Sequence, residues 1–171
     1  MTTHLDEPIH LEDPGGDWDA IFTAERARLT SLLRLPIEHI GSTAVPGLLS
    51  KPIVDIQVGV PTFPPPSTVS RALEELGYEG LGEAGVPGRM HWRLRGTQAF
   101  NVHVVQTDGE HWRNALALRQ YLRSSPGARD RYAAAKRAAV MAGAVRLLSY
   151  SEAKAAVVAE LLSQARDHGA V

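Results

Sequence analysis

The sequence predicts an α+β fold in which helices pack on a mixed β-sheet. An amphipathic helical pattern comes first, and two apolar strand patterns at residues 37–40 and 53–60 follow on either side of a Gly-Ser turn. A second pair of strand patterns, at 90–95 and 99–106, is typical of a β-hairpin. Three helical patterns then complete the chain.

The first predicted helix begins at Asp17, since aspartate favours the N-cap position, and continues to about residue 34. Its apolar residues recur on one face at helical spacing, which predicts an amphipathic helix that packs on the sheet. On this pattern Glu25, Arg26 and Arg28 are expected on the solvent side.

Turn and capping residues bound the remaining elements. Ser67 begins a helix that ends near residue 76, and glycines make 80–88 either a surface turn or a loop that folds over a substrate. Ser149 and Glu152 fit a capping box at the start of the last helix. The other predicted elements are a short strand at 78–81, helices at 110–123 and 128–145, and a helix from 149 or 151 to about 167.

Composition limits the class of protein. The 171 residues suit one domain, which we place at 17–169 after a flexible N-terminal arm, or frayed end, at 1–16. Lys and Arg number 18 against 19 Asp and Glu, and this balance argues against dedicated nucleic-acid binding. The lack of cysteine excludes disulfides and thiolate ligands and fits a cytoplasmic location. The first 14 residues do not resemble a signal peptide, and no apolar run approaches the roughly 18 residues of a membrane span.

The residues with the clearest chemistry lie in the stretch HIGSTAVPGLLSKPIVDI, residues 39–56. Gly41 allows the backbone to approach a ligand closely, and the hydroxyls of Ser42 and Thr43 add donors for phosphate oxygens. Asp55 lies in the middle of an apolar strand, where a carboxylate is costly unless a cation or hydrogen-bond donors receive it. A phosphate-binding turn beside a metal-binding acid indicates phosphoryl or nucleotidyl chemistry.

The run HIGSTAVPG followed by KPIVDI resembles the signature of the GrpB (UPF0157) family, a branch of the nucleotidyltransferase superfamily. The resemblance continues through GVPGR at 85–89, NVHVV at 101–105, LRQYLRSSP at 118–126 and YSEAK at 150–154. It implies a nucleotidyltransferase-like mixed sheet with helices packed against it and a C-terminal helical segment.

Members of this superfamily generally have a Gly-Ser pair at the end of one strand, an acid-x-acid pair on the next, and a third acid on a later strand. The resemblance aligns Gly41 and Ser42 with the Gly-Ser pair and Asp55 with the first acid. The same alignment places Gln57 at the second acid position and His103 at the third. The chain therefore departs from the superfamily pattern at two of its three acids.

These departures bear on the predicted metal site. Asp55, Gln57 and His103 share one strand face if both strands are regular, but together they carry one formal negative charge. Two Mg²⁺ ions normally require several carboxylates, so a single divalent ion fits better: Mg²⁺ or Mn²⁺, or Zn²⁺ with a histidine ligand. His39 or His91 would complete three protein ligands if they converge on Asp55.

Basic residues are the remaining candidates. Lys51 is predicted to neutralise a phosphate, and Arg89 and Arg93 to add bidentate anion contacts. The alternatives are a solvated lysine at a strand start, exposed arginines without a special role, and a structural Asp55 paired with Lys51 or Arg93. Lys136, in a helix, is a further candidate to reach the site.

The sequence thus predicts a protein that binds a nucleotide or other phosphorylated small molecule with a divalent metal. As an enzyme it would transfer a nucleotidyl group, with metal on Asp55, phosphates at Gly41 and Ser42, and developing charge stabilised by Lys51. The alternative is a catalytically inactive binding or assembly module, indicated by Gln57 and the missing third acid. Similar domains are fused to dephospho-CoA kinase in some bacteria, which implies that kinase as a partner.

Overall fold

A computed structural model describes residues 6–13 and 15–169, and within them five helices and five strands form an α+β fold, as predicted. Their bounds lie close to the predicted ones. The elements are α1 (Trp18–Leu32), β1 (Ile37–Ile40), β2 (Ile53–Val60), α2 (Ser67–Glu75), β3 (Glu79–Gly80), β4 (Arg89–Leu94), β5 (Ala99–Gln106), α3 (Glu110–Ser124), α4 (Pro126–Met141) and α5 (Leu147–Asp167), with a 3₁₀ turn at Ser42–Ala44.

The strands form one mixed sheet in the order β1-β2-β5-β4-β3. Strands β2 and β5 are parallel, the other pairs are antiparallel, and β4 and β5 form the predicted hairpin. The register pairs Asp55 with Asn101 and Gln57 with His103. Because residues two apart point to the same side, Asp55, Gln57 and His103 share one face of the sheet, as the sequence predicts.

The two faces of the sheet differ in chemistry. Alternate residues of β2 and β5, such as Val54, Ile56 and Val102, are fully buried against α1 and α2. Each such side chain contributes about 1.5–3 kcal/mol by leaving water, so this face forms the main core. The intervening residues of β2 and β5, including Asp55 and His103, form a polar face on the side of α3, α4 and α5.

The three C-terminal helices form a second layer with its own core. Leu122, Tyr132 and Leu161 pack there against Val45 and Leu48 of the loop after β1. This packing positions the helical layer over the polar face of the sheet. In the described part of the chain, no helix is long and apolar enough to cross a bilayer.

Two arginines of α3 anchor the β1 loop from the helical side. Arg119 Nη1 donates to the carbonyl oxygen of His39 at 2.7 Å, and Arg123 Nε donates to that of Ala44 at 2.7 Å. Their targets lie just before and just after the Gly-Ser turn, so α3 fixes the backbone on both sides of it.

The prediction that Glu25 faces solvent is wrong. Its side chain is buried, Arg28 Nη1 donates to both of its carboxylate oxygens at 2.7–2.8 Å, and the Tyr78 hydroxyl donates to Oε1 at 2.7 Å. Tyr78 follows α2 in the chain, so helical periodicity within α1 contains no sign of this partner. The N-cap at Asp17 is confirmed by a 3.0 Å bond from the Ala20 amide to its carboxylate.

The predicted junction between the last two helices is also corrected. Helix α4 ends at Met141 rather than near residue 145, because Gly143 adopts a φ of 90° and the chain turns there. Helix α5 begins at Leu147, before the predicted capping box, and the Ser149 hydroxyl donates to the Arg146 carbonyl. The Leu148 amide donates to the carboxylate of Asp6, a residue distant in sequence.

The described part of the predicted N-terminal arm lies along the domain. Ile9 and Val145 share a backbone hydrogen bond of 2.9 Å, and the Glu12 amide donates to the Ser50 carbonyl at 2.8 Å. Residues 1–5 and 14 of the predicted arm lie outside the described residues.

We expect Tyr78→Phe to lower the free energy of unfolding by about 1.5–3 kcal/mol, since it removes a buried hydrogen bond to a carboxylate. The control is Tyr121→Phe, which removes a hydroxyl bonded at 3.1 Å to the neutral, half-buried Gln164 and should cost about 1 kcal/mol or less. Urea unfolding of both variants measures the difference. Equal losses would show that the buried Glu25 contact adds nothing.

Candidate functional site

The site is organised around Asp55 on the polar face of β2. Its side chain is 26% exposed, Asn101 Nδ2 donates to Oδ1 at 2.9 Å, and His103 Nε2 lies 3.9 Å from the same oxygen. Burial works against ionisation of this carboxyl, but His103, Lys51 and Asn101 together lower its pKa. Asp55 is therefore a carboxylate at neutral pH.

The imidazoles of His91 and His103 and the guanidinium of Arg89 lie on the same side of the sheet as Asp55. The ring centroids of His91 and His103 are 5.0 Å apart, because β4 and β5 pair these residues directly. Burial and the positive charge of Arg89 lower the pKa of His91 to about 4 and that of His103 to about 3. Both rings are neutral at neutral pH, so Lys51, with a smaller effect of Lys154, is the positive charge that favours an ionised Asp55 there.

The Gly-Ser turn comes within contact distance of the same carboxylate. Ile40, the last residue of β1, pairs with Asp55, and Gly41 then turns the chain into the 3₁₀ turn with a φ of 72° and a ψ of −167°. A Cβ at Gly41 would lie 2.7 Å from Asp55 Oδ2. Both the backbone conformation and this close approach require glycine.

All three lysines of the chain line one cavity of about 80 Å³ beside this turn. Lys136 is buried, and its Nζ donates to Ser42 Oγ at 2.5 Å and to the Leu49 carbonyl at 2.7 Å. Lys154 Nζ donates to the Tyr132 hydroxyl at 3.2 Å. Lys51 and Asp55 complete the charged lining of the cavity.

Two tyrosine rings lie among the three ammonium groups. Lys136 Nζ is 4.2 Å from the centroid of Tyr132, while Lys154 Nζ is 5.4 Å from that ring and 4.7 Å from Tyr150. Lys51 Nζ is 5.9 Å from the Tyr150 centroid. Burial, with the nearby positive charges of Lys154 and Lys51, lowers the pKa of Lys136 to about 6, and burial also lowers the pKa of Lys51.

Two larger cavities open from Asp55. One of about 340 Å³ runs between the sheet and α3, where Ile40, Leu118 and Leu122 give it an apolar wall. The other, of about 400 Å³, extends over β4 past Arg89. Asp55 lines both of them and the lysine cavity, so a ligand at Asp55 has room on three sides.

His39 does not join this site, which corrects its prediction as a metal ligand. It pairs with Ile56 in the sheet and therefore faces the apolar side, where its ring stacks on Phe22 with centroids 4.7 Å apart. Its Nε2 lies 2.9 Å from the hydroxyl of Thr43. This bond engages the Thr43 hydroxyl that the sequence assigned to phosphate.

The residues predicted to assist Asp55 have different partners. The Gln57 amide nitrogen donates to the Trp112 carbonyl at 3.3 Å, which ties β2 to α3. Arg93 Nε donates to Glu79 at 2.7 Å on the neighbouring strand. The described residues contain no group of three or more His, Asp or Glu side chains placed to bind a metal. The donors present therefore do not fit the two-metal arrangement that the superfamily resemblance implies.

The structure brings Lys136 to the site, and it adds residues that sequence reasoning missed. These are Lys154, Tyr132 and Tyr150, together with Asn101. The sequence contains a pattern that could have indicated the two tyrosines and Lys154: each of the last two helices has the spacing Tyr-x-x-x-Lys. Residues four apart lie on one helix face, so each pattern presents a tyrosine and a lysine to the same side.

We expect Gly41→Ala to lower the free energy of unfolding by at least about 1–3 kcal/mol, the cost of a strained backbone conformation. The contact of its Cβ with Asp55 should add to that cost. A double-mutant cycle with Asp55→Ala isolates the contact, because backbone strain is present in both backgrounds. Thermal or urea unfolding should show a smaller cost of Gly41→Ala in the Asp55→Ala protein. Identical costs in the two backgrounds would contradict the contact.

The chain is similar to several bacterial proteins. A UPF0157 protein of Halalkalibacterium halodurans is 32% identical over 86% of this chain and 77% of its own length. A UPF0157 protein of Pseudomonas aeruginosa is 34% identical over 94% of this chain and 69% of its own length. A dephospho-CoA kinase of Mycolicibacterium paratuberculosis is 26% identical over 77% of this chain, and the match spans 40% of that protein.

A solved structure has the same fold. The crystal structure of conserved protein GrpB from Enterococcus faecalis aligns with a TM-score of 0.81 at 30% identity, over 91% of this chain and 96% of that one. The family model described as GrpB protein matches residues 8–164. The chain therefore belongs to the GrpB family.

Proposed function

We propose that the cavity beside the Gly-Ser turn binds a phosphate group of a phosphorylated small molecule. The observation that supports this proposal is the convergence of the three lysines of the chain on one small cavity. One carboxylate, Asp55, accompanies them, so the fully ionised set carries an excess of two positive charges. A bound dianion would balance that excess.

The energetics favour an anionic ligand over a structural role for all three lysines. Ammonium groups that share a partly desolvated space repel one another, and their burial carries a further cost. The lowered pKa of Lys136 reflects both effects. A structural ion-pair network would surround the lysines with carboxylates, whereas Asp55 is the acid that lines this cavity.

The same arrangement supplies the hydrogen bonds that a phosphate needs. Lys136 donates to Ser42 Oγ, so the hydroxyl proton of Ser42 is directed away from that bond and can itself be donated. Lys51 and Lys154 add cationic donors from the strand entry and from α5. These groups come from three separate segments, so a bound phosphate would link the helical layer to the sheet.

A nucleotide is the ligand class that the superfamily resemblance implies, and the neighbouring 340 Å³ cavity has space for the rest of such a molecule. Its wall combines apolar side chains of α3 with the polar Gln57 and Arg119. Ligand sites commonly combine an apolar wall with a few placed polar groups. We therefore propose phosphate in the lysine cavity and the organic moiety against α3.

Metal use and nucleotidyl transfer are separate proposals. Asp55 and His103 are the remaining donors for a divalent ion, with Asn101 already bonded to the carboxylate. If transfer occurs, the lysines are the cations placed to stabilise charge on the reacting phosphoryl group. Pyrophosphate release from each common NTP, with and without Mg²⁺ or Mn²⁺, tests this step. Binding without release under every condition would contradict the transferase proposal and leave phosphate binding intact.

A second candidate function is an accessory role with dephospho-CoA kinase. The observation that favours it is the partial match to a kinase of that name. The test is co-purification of the tagged chain with the dephospho-CoA kinase of the same organism, followed by kinase activity with and without the chain. No enrichment and no change in activity would contradict this role.

We expect wild-type protein to bind nucleotides, and Lys154→Gln to weaken that binding about 10-fold to 100-fold. The reason is that a charged hydrogen bond contributes about 1.5–3 kcal/mol. The matched control is Arg137→Gln, which removes the same charge from an exposed position on α4. Isothermal titration calorimetry measures both dissociation constants. Equal affinities for the two variants, or no binding by wild type, would contradict the proposal.

Phosphate binding should also take up a proton. The pKa of Lys136 is about 6 in the free protein, and a bound anion raises it by stabilising the ammonium form. Above pH 7 the phosphate is already ionised, so Lys136 is the group that must take up a proton on binding. Because protonation of Lys136 costs more as the pH rises, the affinity for phosphate should fall. The charged groups that line the cavity with Lys136 are Lys51, Lys154 and Asp55, and the tyrosines that line it are Tyr132 and Tyr150.

Calorimetry at pH 7.5 in two buffers of different ionisation enthalpy measures this uptake. The observed binding enthalpy should differ between the buffers in the direction of proton uptake by the protein. A buffer-independent enthalpy, or an affinity that rises with pH, would contradict a neutral Lys136 in the free site.

A further inference from the structure

We infer that Arg89, His91 and His103 form a second anion-binding subsite across Asp55 from the lysine cavity, so that the ligand carries two anionic groups, as a diphosphate or triphosphate does. This inference rests on the proposed function, because it assigns the first anionic group to the lysines. It narrows the substrate class from any phosphorylated molecule to one with a chain of phosphates.

The three side chains meet because of strand alternation. Arg89 and His91 are two residues apart on β4 and point to the polar face, and His91 pairs with His103 of β5. Arg89 Nε and His103 Nε2 are buried atoms, and neither has a hydrogen-bond partner in the described residues. Native proteins rarely leave buried polar atoms unpaired, and such atoms indicate a missing partner. An anion beside Arg89 would accept from its Nε. His103 Nε2, which lies 3.9 Å from Asp55 Oδ1, would donate to another oxygen of the same anion in the Nε2–H tautomer.

Arg89 differs from the nearby Arg93 and Arg95 in having no carboxylate partner among the described residues. Arg93 lies 2.7 Å from Glu79, and Arg95 lies 2.5 Å from Glu7, so each has a carboxylate partner. Within the described residues, no carboxylate lies within 4 Å of Arg89, and Asp55 acts on it at longer range. The charged guanidinium of Arg89 is therefore half-buried without an ion-pair partner. A bound anion would be that partner.

The two subsites share one space. The cavity of about 400 Å³ is lined by Lys51 and Lys154 of the first subsite and by Arg89 and His103 of the second. Asp55 lies between them and lines the cavity as well. A carboxylate at this position repels an anion placed directly on it and favours a ligand whose charges lie on either side. A phosphate chain meets that requirement, whereas a single phosphate can occupy only one side.

The experiment compares inorganic orthophosphate, pyrophosphate and tripolyphosphate by isothermal titration calorimetry, without divalent metal. Wild-type affinity should rise along this series. Arg89→Gln should weaken tripolyphosphate binding at least 10-fold and change orthophosphate binding less than twofold, while Lys154→Gln should weaken both. Arg71→Gln, which removes an exposed charge from α2 behind the sheet, is the matched control.

The outcomes separate the inference from the proposed function. If Arg89→Gln weakens all three probes equally, or none of them, the second subsite is wrong and phosphate binding by the lysines stands. If wild type binds no probe, both proposals fail. Arg89→Lys keeps the charge but loses the planar guanidinium, and it should restore part of the tripolyphosphate affinity. An unchanged thermal unfolding curve shows that a variant is folded. If Arg89→Gln is unfolded, the same comparison of the three probes is made with Arg89→Lys.

Discussion

The arrangement of the site depends on one ionised carboxylate placed inside the protein. Asp55 stands on a central strand, so the sheet covers one side of it and the helical layer covers another. A charge in this position requires nearby donors and cations. Asn101 supplies the donor and Lys51 the cation, and Gly41 leaves room for the backbone to approach.

The two faces of the sheet differ in what they contact: one packs in the main core and the other borders the cavities. The apolar face forms the main core with α1 and α2, and this core includes alternate residues of β2 and β5. The helical layer is attached through a different set of contacts, which includes Arg119 and Arg123 on the backbone of the β1 loop. Cavities can therefore remain between sheet and helices without weakening the main core.

Local sequence patterns predicted much of this arrangement. Alternation in β2 and β5 correctly placed Asp55 and His103 on one face, and the Gly-Ser pair marked the turn beside them. Alternation alone does not place His39, because the face it occupies depends on the register between β1 and β2. In the structure His39 pairs with Ile56, which puts it on the face opposite to Asp55. Register between strands is a long-range property, and so is the partner of Glu25. Neither can be obtained from periodicity within one element.

The convergence of the lysines is the clearest case of such a long-range property. Lys51 is distant in sequence from Lys136 and Lys154, which lie on two successive helices, and the packing of α4 and α5 on the β1 loop brings the three together. That convergence also bears on the departures from the superfamily pattern. A site of several carboxylates needs metal ions to attract phosphate. On the proposed function, one carboxylate and three lysines would attract it through the protein's own cations. On the proposed function, the neutral Gln57 and the lysine-rich cavity belong to one charge balance, in which lysines supply positive charge that metal ions supply in the superfamily pattern.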